Sequence, residues 1–150
     1  MNIAVGPGSP VRALGQWPVV TIPADATLGD AARAMRRADV SAALLEHRQG
    51  IVTERDLATA LAHDLGPTDP VHAVAVTDPV VVRDHATVLE IAELMVAQHV
   101  RHVIVETAHG EIESVVSIRD VVGILLQATD PALTVFLQRV VTEHAEIWLG

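Results

Sequence analysis

Apolar and polar positions along the chain alternate between two rhythms, short β-branched runs and longer stretches at helical spacing. "VVTI" (19–22) and "PVVV" (79–82) are compact β-branched runs of the kind that form strands. Behind each comes a helical pattern: Leu28, Ala31, Ala32 and Met35, then Val88, Ile91, Ala92, Leu94 and Met95. Thr87-x-x-Glu90 is a capping box at the head of the second pattern, and Thr27-x-x-Asp30 is a weaker version at the head of the first. Two strands follow in each case, "AALLE" (42–46) with "GIVT" (50–53), and "HVIVE" (102–106) with "ESVVS" (113–117). A further helix opens at "ERDLATALAH" (54–63) and at "IRDVVGILLQ" (118–127). The predicted order is β-α-β-β-α, twice.

The two halves are copies of one unit. At an offset of 60, Val20 meets Val80, Ala26 meets Ala86, Thr27 meets Thr87, Ala32 meets Ala92 and Met35 meets Met95. The register runs through Val40/Val100 to Glu46/Glu106. It then becomes 64, so that Thr53 meets Ser117, Arg55 meets Arg119 and Asp56 meets Asp120. The first copy is four residues shorter in its central hairpin, "EHRQG". These boundaries divide the chain into a loose Gly- and Pro-rich segment (1–16), repeat one (17–65), a linker (66–76), repeat two (77–128) and a helical extension (129–150). Leu133, Phe136, Leu137, Val140, Val141 and Trp148 give the extension an apolar face, either closing the core or meeting a partner.

Composition narrows the function. Half of the 150 residues are hydrophobic, with one Phe and no Tyr, so the core is aliphatic. A net charge of −9 argues against a broad nucleic-acid surface. The absence of cysteine removes disulfides, thiolate chemistry and cysteine-bound zinc. "MNIAVGPGSP" lacks the layout of a signal peptide, and no apolar run approaches the roughly 20 residues of a membrane span. The expectation is a soluble cytoplasmic protein with no membrane partner. There is no P-loop, nucleophile elbow or HExxH motif, so an enzyme is not expected. Of the eight histidines, His99 and His102 stand three apart, but across a helix–strand corner, and no metal site is expected.

With "GIVTERDL" (50–57) matched by "SVVSIRDV" (114–121), and "RHVIVETAHGEIESVVS" (101–117) running without a gap, the chain resembles a tandem pair of CBS domains, the Bateman module. The resemblance covers roughly residues 10–128. It implies an α+β fold of two repeats related by a pseudo-two-fold axis, with clefts between them that take AMP, ADP, ATP or S-adenosylmethionine as regulatory ligands, no cofactor being required. It also implies a homodimer. With no room for an output domain, such a module would report ligand or energy state to a separate regulated protein.

The resemblance points to Thr53, Arg55, Asp56, Arg101, His102, Ser117, Arg119 and Asp120 as ligand-binding residues. Physically, Asp56 and Asp120 can each accept the two adjacent hydroxyls of a ribose. Thr53 and Ser117 offer hydroxyls to a phosphate, the helix starts offer N–H groups and a favourable dipole, and Arg55 and Arg119 offer charge. Arg101 and His102 stand where the family places cations, whereas the first copy has Ser41 and Ala42. Ser114 replaces a usual Gly and Ile104 a usual Pro. One strong site involving Asp120 and one weak or empty site are therefore expected. The same Thr and Asp residues also suit plain helix caps, contributing about 0.5–2 kcal/mol. On that alternative the pair is a ligand-free scaffold for dimerisation or protein interaction.

Overall fold

The computed structural model describes residues 5–14, 19–127 and, beyond them, 131, 135, 136, 138 and 139. It is an α+β structure of two compact units. One contains residues 19–80 with 113–115; the other contains 5–14, 81–112 and the described residues from 116 onward.

In the first unit, β1 (Thr21–Ile22), α1 (Leu28–Ala38), β2 (Ala42–Leu45), β3 (Gly50–Thr53) and α2 (Glu54–Ala62) follow the expected order. β2 is central, parallel to β1 and antiparallel to β3, with Ala42 opposite Thr53 and Leu45 opposite Gly50. All four residues of β2 are buried, which is why "AALL" carries no polar alternation. The helices fold over this strand, and Met35, Ala31, Ala60, Leu45 and Val52 share one aliphatic core. β1 is shorter than "VVTI" because only Thr21 and Ile22 pair with β2.

The second repeat follows the same plan with β4 (Val81–Arg83), α3 (Val88–Gln98), β5 (His102–Glu106), β6 (Ile112–Ser117) and α4 (Ile118–Gln127). The sheet order is β4-β5-β6, with β4 parallel to β5. α1 and α3 end alike, on Asp39 and His99 in the left-handed conformation (φ 54° in both). His99 therefore closes a helix, while His102 opens a strand. Among the described residues, no three His, Asp or Glu side chains converge as a metal would require.

One expectation is corrected for the residues described. Residues 5–14 are not a loose tail. Val11–Leu14 forms a 3-10 turn in which Val11 is 2% exposed, and its N–H donates to Ala86 O at 2.7 Å. Val71–Ala73, inside the stretch read as linker, makes the same turn on the first repeat, with Val71 N–H donating to Ala26 O at 2.9 Å. These flanks also satisfy the open N–H groups at two helix starts. Leu28 and Gly29 donate to Asp69 O and Pro67 O, both at 2.9 Å. Val88 and Leu89 donate to Ser9 O and Pro7 O at 3.0 and 2.9 Å. Each repeat is thus completed by a flank, and the flank on repeat two is the one that precedes repeat one.

The extension falls mostly outside the described residues. Within it Phe136 is buried, Val135 is exposed, and Arg139 Nη1 lies 3.4 Å from Glu93 Oε1.

Candidate functional site

Each repeat turns from its last strand directly into its second helix, and the candidate residues sit on that corner. Thr53 ends β3 in an extended conformation and is the N-cap of α2. Its N–H and hydroxyl donate to Asp56 Oδ2 at 2.8 and 2.7 Å, and Asp56 N–H donates back to Thr53 Oγ1 at 3.3 Å. Ser117 and Asp120 repeat the arrangement at the start of α4, at 2.9, 2.7 and 3.3 Å. Both are full capping boxes, a more complete form of the plain helix caps that these residues suit by sequence. The boxes of Thr27/Asp30 and Thr87/Glu90 are present as well.

The caps decide what remains for a ligand. Each Thr53 or Ser117 hydroxyl hydrogen is engaged by a carboxylate, so donating it to a phosphate requires breaking a 2.7 Å bond. The carboxylates are only half used. All their internal bonds go to Oδ2, and among the described residues none reaches Oδ1 of Asp56 or Asp120. A carboxylate fixed at one oxygen by its helix cap and open at the other is a pre-positioned acceptor for a hydroxyl.

A second pair of residues closes each corner. Glu54 N–H donates to Ser41 O at 3.1 Å, and Ile118 N–H donates to Arg101 O at 2.8 Å. The backbone therefore brings Arg101 beside Ser117 and Asp120 in the second unit, with His102 next along β5 and exposed Arg119 on the first turn of α4. In the first unit the same placement holds Ser41 beside Thr53 and Asp56, with exposed Arg55 on the first turn of α2. The eight candidates thus gather as three in one unit and five in the other. Glu54 is not among the candidates that the sequence singles out. Only the symmetry of the two corners marks it. The first turn of α2 carries two acids, Glu54 and Asp56, whereas that of α4 carries Asp120 alone.

The other two boxes show how strongly a cap holds a carboxylate. Asp30 accepts the Thr27 backbone N–H, the Arg33 guanidinium at 2.7 Å and the Thr27 hydroxyl, which lowers its pKa from 3.8 to about 2. Glu90 is lowered from 4.5 chiefly by the Thr87 backbone N–H. One buried side-chain oxygen among the described residues, Glu113 Oε2, has no hydrogen-bond partner.

Comparison with known proteins places these corners in a family. The CBS-domain family model matches residues 11–63 and again 71–127. No curated protein matches the chain. Among solved structures, a CBS-domain-containing protein from Agrobacterium tumefaciens is 29% identical, covers 79% of this chain and 95% of its own, and has a TM-score of 0.72. A CBS-domain protein from Pyrobaculum aerophilum, solved in complex with AMP, is also 29% identical, over 87% of this chain and 98% of its own, with a TM-score of 0.69. A CBS pair solved with 5′-methylthioadenosine and S-adenosyl-L-methionine shares the fold at 18% identity, over 77% and 98%, with a TM-score of 0.69. Both family matches begin at the buried Val of a 3-10 turn, Val11 and Val71, so the flanks belong to the repeats' common pattern.

Proposed function

The chain belongs to the CBS-domain family, and from that premise we propose that it is a regulatory module that binds an adenosine-containing ligand and signals to a partner protein in trans. The observation that carries this reading is the duplicated corner, in which Asp56 and Asp120 are each held by a capping box and keep Oδ1 open. Oδ1 accepts a ribose hydroxyl. The helix start and the neighbouring Arg side chains attract a 5′-phosphate where one is present. The AMP complex of the Pyrobaculum relative, at 29% identity, supports the ligand class. The stronger site is that of Asp120, because Arg101, His102 and Arg119 gather there.

A regulatory role fits charged groups arranged to receive a ligand, and CBS-domain membership supports it. Ligand energy reaches the partner only through unequal affinity for two states of the protein or of its assembly, here a homodimer in the cytoplasm. Among the described residues no helix is long and apolar enough to cross a membrane.

A second reading has its own support. All four caps are completed by the chain's own side chains and backbone, as a scaffold for dimerisation would need. Calorimetric titration with AMP separates the two. A regulatory module gives a saturable heat that Asp120→Asn removes, together with a ligand-dependent change in sedimentation or partner binding. A scaffold gives no heat and sediments identically with and without AMP.

A further inference from the structure

The two corners share one hydrogen-bond pattern and differ in charge. Residue 41 lies against the first N–H of α2 as residue 101 lies against the first N–H of α4. In one unit that pair is Ser41 with Glu54; in the other it is Arg101 with Ile118. Counting the shared Arg and Asp, the first corner holds two carboxylates, Glu54 and Asp56, against one guanidinium, Arg55. The second holds two guanidinium groups, Arg101 and Arg119, against one carboxylate, Asp120. The formal difference is two charges. Glu54 and Arg101 are both exposed, so neither charge is cancelled by burial.

A 5′-phosphate near a helix start is stabilised by the dipole and by cations, and opposed by each carboxylate on the same turn. The second corner presents a net positive field to it and the first a net negative one. A ribose hydroxyl feels neither strongly, because it is neutral. We propose that the repeats divide adenosine ligands by charge: the α4 corner takes a phosphorylated adenosine, and the α2 corner takes one without phosphate. Glu54 is the specificity-determining residue of the first corner and Arg101 that of the second. This rests on the adenosine reading above and extends it from one strong site to two sites of different selectivity.

The probes are AMP and adenosine, which differ only in the phosphate, titrated calorimetrically into the full chain. Asp→Asn substitutions retain an oxygen for the cap while impairing acceptance from ribose. The expected pattern is that Asp120→Asn abolishes the stronger AMP binding and spares adenosine, while Asp56→Asn does the reverse. In the Asp120→Asn background, Glu54→Gln tightens residual AMP binding roughly two- to fivefold, the effect of one exposed charge near a helix start, and leaves adenosine unchanged. Arg101→Ser weakens AMP by a similar factor in the otherwise native chain. Glu54 and Arg101 are surface positions, so these variants keep the test alive if an Asp→Asn variant folds poorly. If both ligands bind but answer to the same Asp, or if Glu54→Gln shifts AMP and adenosine equally, the division by charge is overturned and the adenosine reading stands. If neither ligand binds the native chain, the division by charge falls, while the adenosine reading is judged separately by ADP, ATP and S-adenosylmethionine.

Discussion

Replacing Asp120 by Ala removes the acceptor for both Ser117 donors, the N–H at 2.9 Å and the hydroxyl at 2.7 Å. Ser117 is half-buried, so its orphaned N–H is only partly rescued by water. Loss of such a cap costs about 1 kcal/mol, within a range of roughly 0.5–2 kcal/mol. In a chain of this size that lowers the unfolding temperature by roughly 3 °C. Asp120→Asn keeps an oxygen where Oδ2 stands and loses mainly the charge–dipole contribution, about 0.3–1 kcal/mol, so it is the milder change. Urea unfolding at neutral pH reads both as shifts in midpoint at constant slope. Because Ser117 and Asp120 act as one box, the double variant Ser117→Ala/Asp120→Ala should cost less than the two single losses added together. Glu90→Ala breaks the equivalent exposed box of α3 and serves as the control, losing stability without touching AMP binding. The reasoning is refuted if Asn is as damaging as Ala, or if the single losses simply add.

Other expectations follow from particular contacts. Val11→Ala, at a residue 2% exposed, should cost about 2 kcal/mol in denaturant titration, whereas a loose tail would lose nothing measurable. Gly50→Ala should be strongly destabilising, since φ is +141° and a Cβ would stand 2.5 Å from Val76 O, while Gly123→Ala, on an open stretch of α4, should gain about 0.8–1 kcal/mol; thermal melts of the pair should move in opposite directions. Asp30, whose folded pKa is depressed, contributes stability that is complete above its ordinary 3.8 and is lost as pH falls toward about 2. Urea midpoints between pH 5 and 2 should therefore fall less steeply in Asp30→Asn than in the native chain.

Much of this was legible in the sequence because local and tertiary preferences agree. "HVIVE" and "IRDVVGILLQ" form a strand and a helix with the bounds expected, and Thr87-x-x-Glu90 caps as its spacing dictates. The flanks were missed for a physical reason. Pro10 and Pro70, with the glycines near them, read as chain breakers, and only docking gives Val11 and Val71 a core to enter. A signal was available, since the offset of 60 also pairs Pro10 with Pro70, Val11 with Val71 and Ala13 with Ala73. The tight turn of the first hairpin was equally hidden. His47 and Arg48 hold positive φ there without the Asn-Gly that announces such a turn. At the candidate site, a cap and a ligand acceptor leave the same Thr-x-x-Asp trace. Only coordinates show that Oδ2 takes the cap's bonds and that, among the described residues, none reaches Oδ1.

The most direct test of adenosine binding is thermal unfolding of the protein alone and with AMP, ADP, ATP or S-adenosylmethionine, repeated on the Asp56→Asn/Asp120→Asn double variant. A ligand at 100 times its dissociation constant stabilises the fold by about 2.7 kcal/mol, a rise of several degrees in a chain of this size. The expected result is such a rise with at least one of the four in the native chain and none in the double variant. Unchanged unfolding with all four, or an equal rise in both proteins, would contradict the assignment of the two carboxylates to an adenosine ligand.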